Sequence, residues 1–533
     1  MEKIFFLSEF KINIRDMKSI LLSSTCLSCI GLYMCANNLS AKEVNKPNVL
    51  VIYTDDHRYT GIHALGGEAV ITPNLDNLVY NGICFTNAYL QGAFTGATSV
   101  PSRAMLLTGR NLFSLNGTGH NIPVEHTMMP EAFKEAGYFC YHIGKWHQDN
   151  KSLARSFNSG SRVTGQPLYL LDKYRMPFSY WNSEGEYSKK NCYLCEYDKS
   201  GNPVNRIVGK EPYGPIGNEN TAPHIIELLS GDAVKFISDY DNKNPFFVYL
   251  SLPSPHDPCQ CPKKYKDMYP ANEINLPPSF MAQHPFDNGD YVSRDEKLAS
   301  WPRTQNEIKG KISDYYAAIT HTDAQIGLVI KALKDAGLYD NTIIIMAGDS
   351  GLAVGNHGLM GKQNLYNEDG IHVPLIISGG ALDKQYHGKR LDALCYIHDI
   401  MPTVLDITDI KIPKSVNGKS LLPVIKGKQK DVREYCYFAY RQHQRAIRIG
   451  NYKLIEYVRA KDYNKKTGNF ISGSRVTQLF NIKTDPWETN NLANFPEYTE
   501  MIKDMREKMK IASSEYNDTY DKNRSEYSFW EFY

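Results

Sequence analysis

Residues 99–103, with the sequence Ser-Val-Pro-Ser-Arg, combine a hydroxyl, a helix start and a guanidinium. Pro101 suits the first turn of a helix because its missing N–H has no bond to lose there, and residues 104–107 are good helix formers. We therefore expect Ser99 at or just before a helix N-terminus, where unpaired N–H groups and the helix dipole favour an anion. Arg103, one turn further on, can point back at the same place. These residue types suit nucleophilic attack on an anionic group, although five residues alone favour the plainer interpretation of a capped helix start.

Two adjacent carboxylates, Asp55 and Asp56, follow an apolar run near the start of the chain. Neighbouring carboxylates repel each other unless a cation lies between them. Asp349, which Ser350 follows, ends another apolar run. Three carboxylates without cysteine or clustered histidine suit a hard cation such as Ca²⁺. The alternative for any one of these aspartates is the capping of a turn.

The elements that must position these residues are four nearly continuous apolar runs, which are typical of strands buried on both faces of a parallel sheet. Each run ends in a polar cluster, and helical patterns lie between the runs. Strands that alternate with helices predict an α/β fold, with a mainly parallel central sheet flanked by helices and ligands bound beyond the carboxyl ends of the strands. The predicted strands are 48–53, 138–143, 246–252 and 342–347, and the predicted helices are 130–136, 224–240 and 311–336.

Residues 99–110 closely resemble the signature of the sulfatase family, in which Cys or Ser is followed by x-Pro-Ser-Arg and then by Thr-Gly-Arg. In that family the first residue of the signature is oxidised after translation to formylglycine, which implies Ser99 as the modified residue here. Because this residue is serine and not cysteine, the resemblance also implies a maturase that can oxidise serine. The resemblance extends from residue 48 to about residue 493 and implies an alkaline phosphatase-like fold.

Further residues at the predicted strand ends resemble the family's catalytic groups. Lys145 and His147 resemble the Gly-Lys-x-His pair that contacts formylglycine and sulfate. His256 resembles the histidine that faces the ester oxygen, and Lys362 resembles a lysine that binds sulfate. The catalytic set that the resemblance implies is Ser99, Arg103, Lys145, His147, His256 and Lys362.

The resemblance also implies a bound Ca²⁺. Sulfatases have an Asp-Asp pair after the first strand and an Asp followed by Asn, His or Gln after a later strand. Here the later pair is Asp349-Ser350, and a serine hydroxyl is a poorer ligand. The implied metal ligands are Asp55, Asp56, Ser99, Asp349 and Ser350.

Together these groups imply hydrolysis of a sulfate ester. Ca²⁺ and the cationic side chains Lys145, Lys362 and Arg103 would neutralise charge on the sulfate oxygens. One hydroxyl of the hydrated formylglycine would attack sulfur in line. His256 or Lys362 would protonate the departing sugar oxygen, and His147 would take a proton from the second hydroxyl.

Two long segments, 158–220 and 259–304, are weakly periodic and rich in Tyr, Gly, Asn or Pro. Long loops of this kind are usually functional, so we expect them to wall the pocket and select the substrate. A sulfated carbohydrate is the predicted substrate, with a galactose or N-acetylgalactosamine sulfate as the leading expectation. The candidate sugar contacts are His284, Asp287, Asn288, Arg294, Arg303 and His372, the last of which stands where the family often has Arg before Val-Pro.

Composition and the termini set the cellular context. The chain has 533 residues with 60 Lys and Arg against 58 Asp and Glu, and this near balance gives no support for nucleic-acid binding. Residues 1–41 predict a signal peptide, because basic residues precede a short apolar stretch and small residues that suit cleavage. We therefore expect export to the periplasm, with a membrane contact only through this leader or through a lipid anchor at Cys35.

The mature chain divides into two predicted domains. Residues 46–430 form the catalytic domain, and residues 431–533 form a smaller α+β subdomain with an antiparallel sheet. Short alternating strands, a turn-rich piece over 478–486 and a closing helix over 498–513 define this subdomain. Cys192, Cys195, Cys259 and Cys261 make a zinc site conceivable, but disulfides or free thiols fit an exported protein better.

Two other functions stay open. One is a phosphomonoester or phosphodiester hydrolase of the alkaline phosphatase superfamily with unmodified Ser99, although the sequence lacks a clear second set of metal ligands. The other is an inactive relative that binds glycans.

Overall fold

The computed structural model describes the chain from residue 46 onwards with a few gaps. The predicted signal peptide and lipid anchor therefore lie outside the described residues. The described ranges are 46–208, 216–241, 243–459, 462–464, 469–471, 474–518 and 529–533.

Strands in these ranges form an eleven-stranded sheet, a five-stranded sheet and two strand pairs. They are β1 (Asn48–Asp55), β2 (Ile83–Phe85), β3 (Ala88–Tyr89), β4 (Gly92–Ala93), β5 (Phe139–Lys145), β6 (Ser159–Thr164), β7 (Phe178–Tyr180), β8 (Cys192–Tyr197), β9 (Pro203–Ile207), β10 (Phe246–Pro255), β11 (Thr342–Gly348), β12 (Leu375–Ser378), β13 (Lys389–Leu391), β14 (Cys395–Tyr396), β15 (Tyr435–Tyr440), β16 (Gln444–Ile449), β17 (Tyr452–Arg459), β18 (Asp462–Asn464), β19 (Asn469–Ile471) and β20 (Ser474–Asn481).

The larger sheet has the order β13-β2-β12-β11-β1-β10-β5-β6-β7-β8-β9. Its centre is parallel, because β1 pairs in parallel with β10 and β11, β5 pairs in parallel with β10, and β6 with β5. All residues of β1 are buried, as the apolar run predicts. The carboxyl ends of β1, β5, β10 and β11 consequently meet at one edge of the sheet, which confirms the predicted fold class.

Both flanks of this sheet contain antiparallel pairs, although the edge strand β13 pairs with β2 in parallel. One flank corrects the sequence analysis. The sequence predicts weakly structured walls over 158–220, but this segment contributes β6 to β9 to the sheet. The prediction is wrong here because these strands carry little hydrophobic alternation. The clearest case is β9, in which all five residues are exposed.

Helices cover both faces of the parallel centre. Val49, Val51 and Tyr53 of β1 point into one core cluster, and the alternate residues Leu50 and Ile52 point into another, as the two-residue period of a strand requires. The helices are α1 (His63–Gly66), α2 (Pro73–Tyr80), α3 (Ser99–Thr108), α4 (Met129–Glu135), α5 (Asn150–Ser156), α6 (Ile225–Ser238), α7 (Lys263–Lys266), α8 (Gln305–Asp335), α9 (Ile400–Ile407), α10 (Leu422–Ile425), α11 (Thr499–Glu515) and α12 (Phe529–Phe532).

The three helices that the sequence predicts between the strands correspond to α4, α6 and α8. Helix α8 begins at Gln305, six residues before the predicted start, because Thr304 caps it through a bond from the N–H of Glu307 to its side chain. Helices α6 and α8 pack on one face of the sheet, while α3, α4 and α9 pack on the other.

The five-stranded sheet has the order β20-β17-β16-β15-β4, and its strands are antiparallel except for the β15–β4 pair. The predicted antiparallel sheet is therefore present, and α11 packs against it through Ile502, Met505 and Met509. The predicted turn-rich piece begins too early, since residues 478–481 are the end of β20.

Residues 47–533 form one compact unit, and the predicted domain boundary at residue 430 stays a prediction. None of the helices in the described part of the chain combines the length and apolarity that a bilayer span requires. All eight cysteines of that part are free thiols, and they contribute to none of its candidate metal clusters.

Candidate active site

The hydroxyl of Ser99 lies at the start of α3, beside a carboxylate at the end of β1. Helix α3 begins at Ser99, and Pro101 is its third residue, still within the first turn where its missing N–H has no helical partner. Ser99 is 2% exposed, and its Oγ donates a hydrogen bond to Oδ1 of Asp55 over 2.9 Å. The predicted position of Ser99 at a helix N-terminus is therefore the observed one.

Arg103 is buried one turn along the same helix, and partners from three strands fix its guanidinium. Nη2 lies 3.2 Å from Oδ2 of Asp349, directly after β11. On β10, Nη1 donates to the hydroxyl of Tyr249 over 3.2 Å and to Ser251. The guanidinium carbon also lies 5.2 Å from the ring centroid of Tyr53 on β1, a cation–π contact. A cation held in one place in this way needs no reorganisation when an anion enters.

The predicted metal ligands form one network of oxygen atoms. The backbone N–H of Asp56 donates to Oδ1 of Asp349 over 2.8 Å, and the hydroxyl of Ser350 donates to Oδ1 of Asp56 over 3.0 Å. Asp55, Asp56, Asp349 and Ser350 have no exposed surface. The parallel register of β1 and β11 brings the four together, because both strands end at the same level.

Two lysines face these carboxylates. Lys145, the last residue of β5, places Nζ 2.5 Å from Oδ2 of Asp55. Lys362, from the loop after β11, places Nζ 2.5 and 2.6 Å from the two oxygens of Asp56. Burial alone would lower the pKa of each lysine, but the carboxylates outweigh it and raise the pKa of both. Both ammonium groups therefore stay charged at neutral pH.

The three aspartates differ in how fully their charge is compensated. Burial raises the pKa of Asp56 to about 8 despite Lys362, and burial and Asp55 raise that of Asp349 to about 6. Burial also opposes the charge on Asp55, but Lys145, His256 and Arg103 outweigh it and hold that pKa well below its usual range. Two of the three carboxylates thus lack enough positive charge around them.

This donor set fits a hard divalent cation. Ligand atoms of Asp55, Asp56 and His256 lie within 4.8 Å of one another, and they form the one cluster of three or more potential His, Cys, Asp or Glu ligands in the part of the chain that the structure describes. Carboxylate and hydroxyl oxygens dominate the surroundings, as Ca²⁺ prefers. A cation there would supply the charge that Asp56 and Asp349 lack.

His256, directly after β10, faces the carboxylates from the opposite side. Its Nδ1 donates a hydrogen bond to the carbonyl oxygen of Asp257 over 2.8 Å, and Nε2 lies 3.6 Å from Oδ2 of Asp56. The buried ammonium of Lys173 donates to the same carbonyl over 3.3 Å. Lys173 and Arg294, which pairs with the Asp257 carboxylate, thus brace the turn that carries His256.

His147 lies two residues beyond Lys145, as the predicted pair requires. Its ring stacks on Tyr169, with centroids 5.9 Å apart, and its buried Nδ1 has no hydrogen-bond partner in the structure. Burial and the charge of Lys145 lower the pKa of His147 well below its ordinary value, so the imidazole is neutral at neutral pH.

Three of the candidate sugar contacts, His284, His372 and Arg303, form hydrogen bonds to other residues of the protein. His284 Nδ1 contacts the carbonyl of His357 over 2.8 Å, and the nitrogens of His372 contact Glu368 and the carbonyl of Thr86. This placement makes both histidines part of the loop scaffold, and their contact with a sugar stays a prediction.

Arg303 is likewise 2% exposed and donates to Glu296 over 2.6 Å. The carboxylate of Glu296 also accepts from the backbone N–H groups of Met360 and Gly361, the two residues before Lys362. Glu296 therefore links Arg303 to the loop that carries Lys362. A direct contact between Arg303 and sugar stays a prediction as well.

The other three candidates lie on the long loop before α8. Asp287 is exposed, and Asn288 is buried with its carbonyl accepting a bond from Gln444. The side chain of Arg294 is 49% exposed while it pairs with Asp257 over 2.8 and 3.0 Å. Of the six, Arg294 combines an open surface with a link to the turn of His256.

Sequence analysis missed several residues that contact the catalytic set. Tyr249 and Ser251 alternate along one face of β10 and point at Arg103, a signal that the two-residue period contained. Tyr169 and Lys173 lie in the connection between β6 and β7, where no pattern in the sequence marks them.

Comparison with known proteins agrees with this geometry. The family model described as "Sulfatase" matches residues 47–410, and that described as "N-sulphoglucosamine sulphohydrolase, C-terminal" matches residues 355–515. An arylsulfatase of Clostridium perfringens is 31% identical over 489 residues, which cover 86% of this chain and 93% of that protein. An N-acetylglucosamine-6-O-sulfatase of Bacteroides thetaiotaomicron is 25% identical, covering 92% of this chain and 90% of the relative.

A solved structure of a protein in complex with its substrate, D-glucosamine-2-N,6-O-disulfate, superposes with a TM-score of 0.66 at 21% identity. The match covers 89% of this chain and 99% of the other. The strand order and this likeness define the fold as alkaline phosphatase-like, with a mainly parallel central sheet flanked by helices. Within that class the chain belongs to the sulfatase family. It is a sulfuric ester hydrolase.

Proposed function

We propose that the protein hydrolyses a sulfate ester on a sugar residue of a glycan, with a formylglycine made from Ser99 and a bound Ca²⁺. The observation that carries this proposal is the hydrogen bond of 2.9 Å from Ser99 Oγ to Asp55, a buried carboxylate that Lys145 and Arg103 also contact. A third buried cation, Lys362, contacts the neighbouring carboxylate of Asp56. Buried cations beside a nucleophile suit a substrate whose reacting group is itself an anion.

The residues around Ser99 suit the oxidised form. Formylglycine in its hydrated form supplies one hydroxyl that attacks sulfur and a second that allows sulfate to leave. Asp55 accepts a hydrogen bond from the side chain at this position and so aligns the attacking oxygen. His147, which is neutral and has an unpartnered Nδ1, is suited to take the proton of the second hydroxyl. Maturation of a serine would need an enzyme that oxidises serine.

Ca²⁺ is the proposed metal because the ligand set consists mainly of oxygens. Asp55, Asp56, Asp349 and Ser350, with the side chain at position 99, would hold it. When bound, the cation would draw charge from the sulfate oxygens. Ser350 gives a weaker fourth ligand than an amide or carboxylate, so we expect a water molecule to complete the coordination.

The cationic residues bind the sulfate, and a proton donor completes the reaction. Lys145 from β5 and Arg103 from α3 contact Asp55, the carboxylate that bonds to Ser99. Lys362, from the loop after β11, contacts Asp56. The departing sugar oxygen needs a proton, which we assign to His256 or Lys362. The Nδ1 proton of His256 is bonded to the Asp257 carbonyl, so Nε2 is the nitrogen nearer the carboxylates. His256 would therefore donate from Nε2 only as the imidazolium, whereas the ammonium of Lys362 carries its proton already.

The substrate class follows from the site and from the relatives' names. A relative that is 25% identical is described as an N-acetylglucosamine-6-O-sulfatase, which supports a sulfated sugar. A galactose or N-acetylgalactosamine sulfate stays our first expectation, and N-acetylglucosamine sulfate is the second. Export to the periplasm, with a leader that is cleaved or lipid-anchored, would bring the enzyme to such glycans.

Sulfate release from a panel of sugars tests the proposal. Protein made with a serine-type maturase is incubated with sulfated galactose, N-acetylgalactosamine and N-acetylglucosamine, and with the 4-nitrophenyl esters of sulfate and phosphate. We expect sulfate release from at least one sugar and a far lower rate on the phosphate ester. Faster turnover of the phosphate ester would favour the phosphoester hydrolase.

A further inference from the structure

Tyr169 contacts Lys145 and His147 and is itself partly exposed to solvent. Its hydroxyl accepts a hydrogen bond from Nζ of Lys145 over 3.2 Å, and the same ammonium lies 5.1 Å from the ring centroid. The ring of His147 stacks on it with an interplanar angle of 24°. Tyr169 is 37% exposed, whereas Lys145 is 1% exposed. The ring thus forms the outer wall above the buried lysine.

Anchors on both sides fix the loop that carries Tyr169. Before it, the carbonyl of Thr164 accepts from the N–H of Trp146 over 3.0 Å, and Gln166 Nε2 donates to the carbonyl of Gln148 over 3.3 Å. A Cβ on Gly165 would lie 2.6 Å from the Trp146 carbonyl, so the loop packs directly against the segment of Lys145 and His147.

After it, Asp172 accepts from the N–H groups of Tyr174 and Gly217, and the N–H of Lys173 donates to Gln260 over 2.7 Å. The ring between these anchors is a preorganised surface and not a loose loop tip.

The position of the ring determines what it can contact. The charged end of a sulfate ester would have to reach the buried Lys145, so the sugar that carries the sulfate would lie beside the more exposed Tyr169. The two faces of a sugar ring present C–H groups, which pack on the flat face of an aromatic side chain. The electron-rich face of the phenol ring suits such slightly positive C–H groups.

We propose that Tyr169 is a specificity-determining residue that binds the sugar ring next to the scissile ester by stacking. This inference rests on the proposed function and adds to it the chemical form of the leaving group. The substrate class is a sugar sulfate whose pyranose ring offers a continuous apolar face beside the sulfated carbon.

Substitution of Tyr169 separates sugar binding from sulfate binding. With the sulfated monosaccharide that the wild-type enzyme hydrolyses fastest, Tyr169→Ala and Tyr169→Leu should raise KM about tenfold, because both remove the aromatic face. Tyr169→Trp and Tyr169→Phe should keep KM within about threefold of wild type. The inhibition constant of inorganic sulfate, which has no sugar ring, should change by less than about twofold in all four variants.

Tyr180→Ala is the matched control, since Tyr180 is 47% exposed on β7 and lies outside the catalytic set. An equal loss of sugar turnover and of sulfate inhibition in Tyr169→Ala would overturn the inference, because it would mean that the ring only positions Lys145. Unchanged KM in Tyr169→Ala would overturn it too and leave the sulfatase proposal intact. If the wild-type enzyme hydrolyses none of the sulfated sugars, both proposals fail.

Discussion

Lys362 and Asp56 form a buried pair in which one ammonium contacts both oxygens of one carboxylate, at 2.5 and 2.6 Å. The two residues are 306 positions apart and meet because the loop after β11 returns over the end of β1. Even with this partner the pKa of Asp56 is raised to about 8 by burial. The pair therefore leaves a need for further positive charge, which the proposed cation would supply while sharing this carboxylate with the lysine.

Removal of divalent cations should lower both activity and stability. Dialysis against EGTA is expected to reduce kcat strongly and to lower the midpoint of thermal unfolding, because the bound cation stabilises only the folded protein. At a free Ca²⁺ concentration of about 100 times Kd, that stabilisation is about 2.7 kcal/mol. Calorimetry and sulfate release before and after addition of Ca²⁺ measure the two effects. Identical unfolding curves with and without Ca²⁺ would contradict the proposed metal site.

Replacement of Arg103 by Lys should reduce kcat about hundredfold, since a single ammonium cannot reach Asp349 and Ser251 while still facing the sulfate. Steady-state kinetics on a sulfated sugar measure the change. The control is Arg206→Lys, in an exposed pair with Glu196, which should retain wild-type kinetics. A wild-type kcat in Arg103→Lys would show that the guanidinium does not contribute to catalysis.

Glu296 should affect activity through the loop of Lys362. Glu296→Ala leaves the buried N–H groups of Met360 and Gly361 without an acceptor, so we expect a loss of about 2 kcal/mol in the free energy of unfolding and a lower kcat. Glu296→Gln retains an acceptor oxygen and should be milder in both respects. Denaturant unfolding and kinetics provide the measurements. Equal effects of the two variants would argue against this bracing role.

The Asp399–Arg433 pair should make stability depend on pH. Burial opposes the charge on Asp399, but Arg433 outweighs it and holds the pKa of the carboxyl below its ordinary value. The unfolded chain therefore binds this proton more readily, so the stabilisation is complete above about pH 4 and is lost as the pH falls through the folded pKa.

Asp399→Asn should reduce the free energy of unfolding by about 3 kcal/mol at neutral pH and flatten this acid dependence. Urea unfolding at several pH values tests both statements. Asp335→Asn, in the exposed pair with Lys331, is the control and should change stability by less than about 0.5 kcal/mol. A variant of Asp399 as stable as that control would refute the prediction.

Much of the site could be predicted because it lies at strand ends. The apolar run before Asp55 and the run before Asp349 identify parallel strands, and parallel strands place their final residues at one edge. The signature at Ser99 adds a helix that begins at the same edge. These patterns are local in sequence, so they can be recognised without knowledge of any tertiary contact.

The rest depends on contacts that leave no local pattern. Glu296 links Arg303 to the loop of Lys362. No local pattern in the sequence indicates this link, so the sequence predicts Arg303 only as a sugar contact. All five residues of strand β9 are exposed, so its sequence has no hydrophobic alternation that would predict a strand. Tyr169 is one of 36 tyrosines and becomes significant only through its position above Lys145.

The measurement that tests the central claim most directly is mass spectrometry of the peptide that contains Ser99. The protein is made anaerobically with a maturase able to oxidise serine, and the same preparation is assayed for sulfate release. The account predicts that Ser99 loses two hydrogen atoms, as its conversion to formylglycine requires, and that activity rises with the modified fraction. Unmodified serine in a preparation that releases sulfate at full rate would contradict the proposed mechanism.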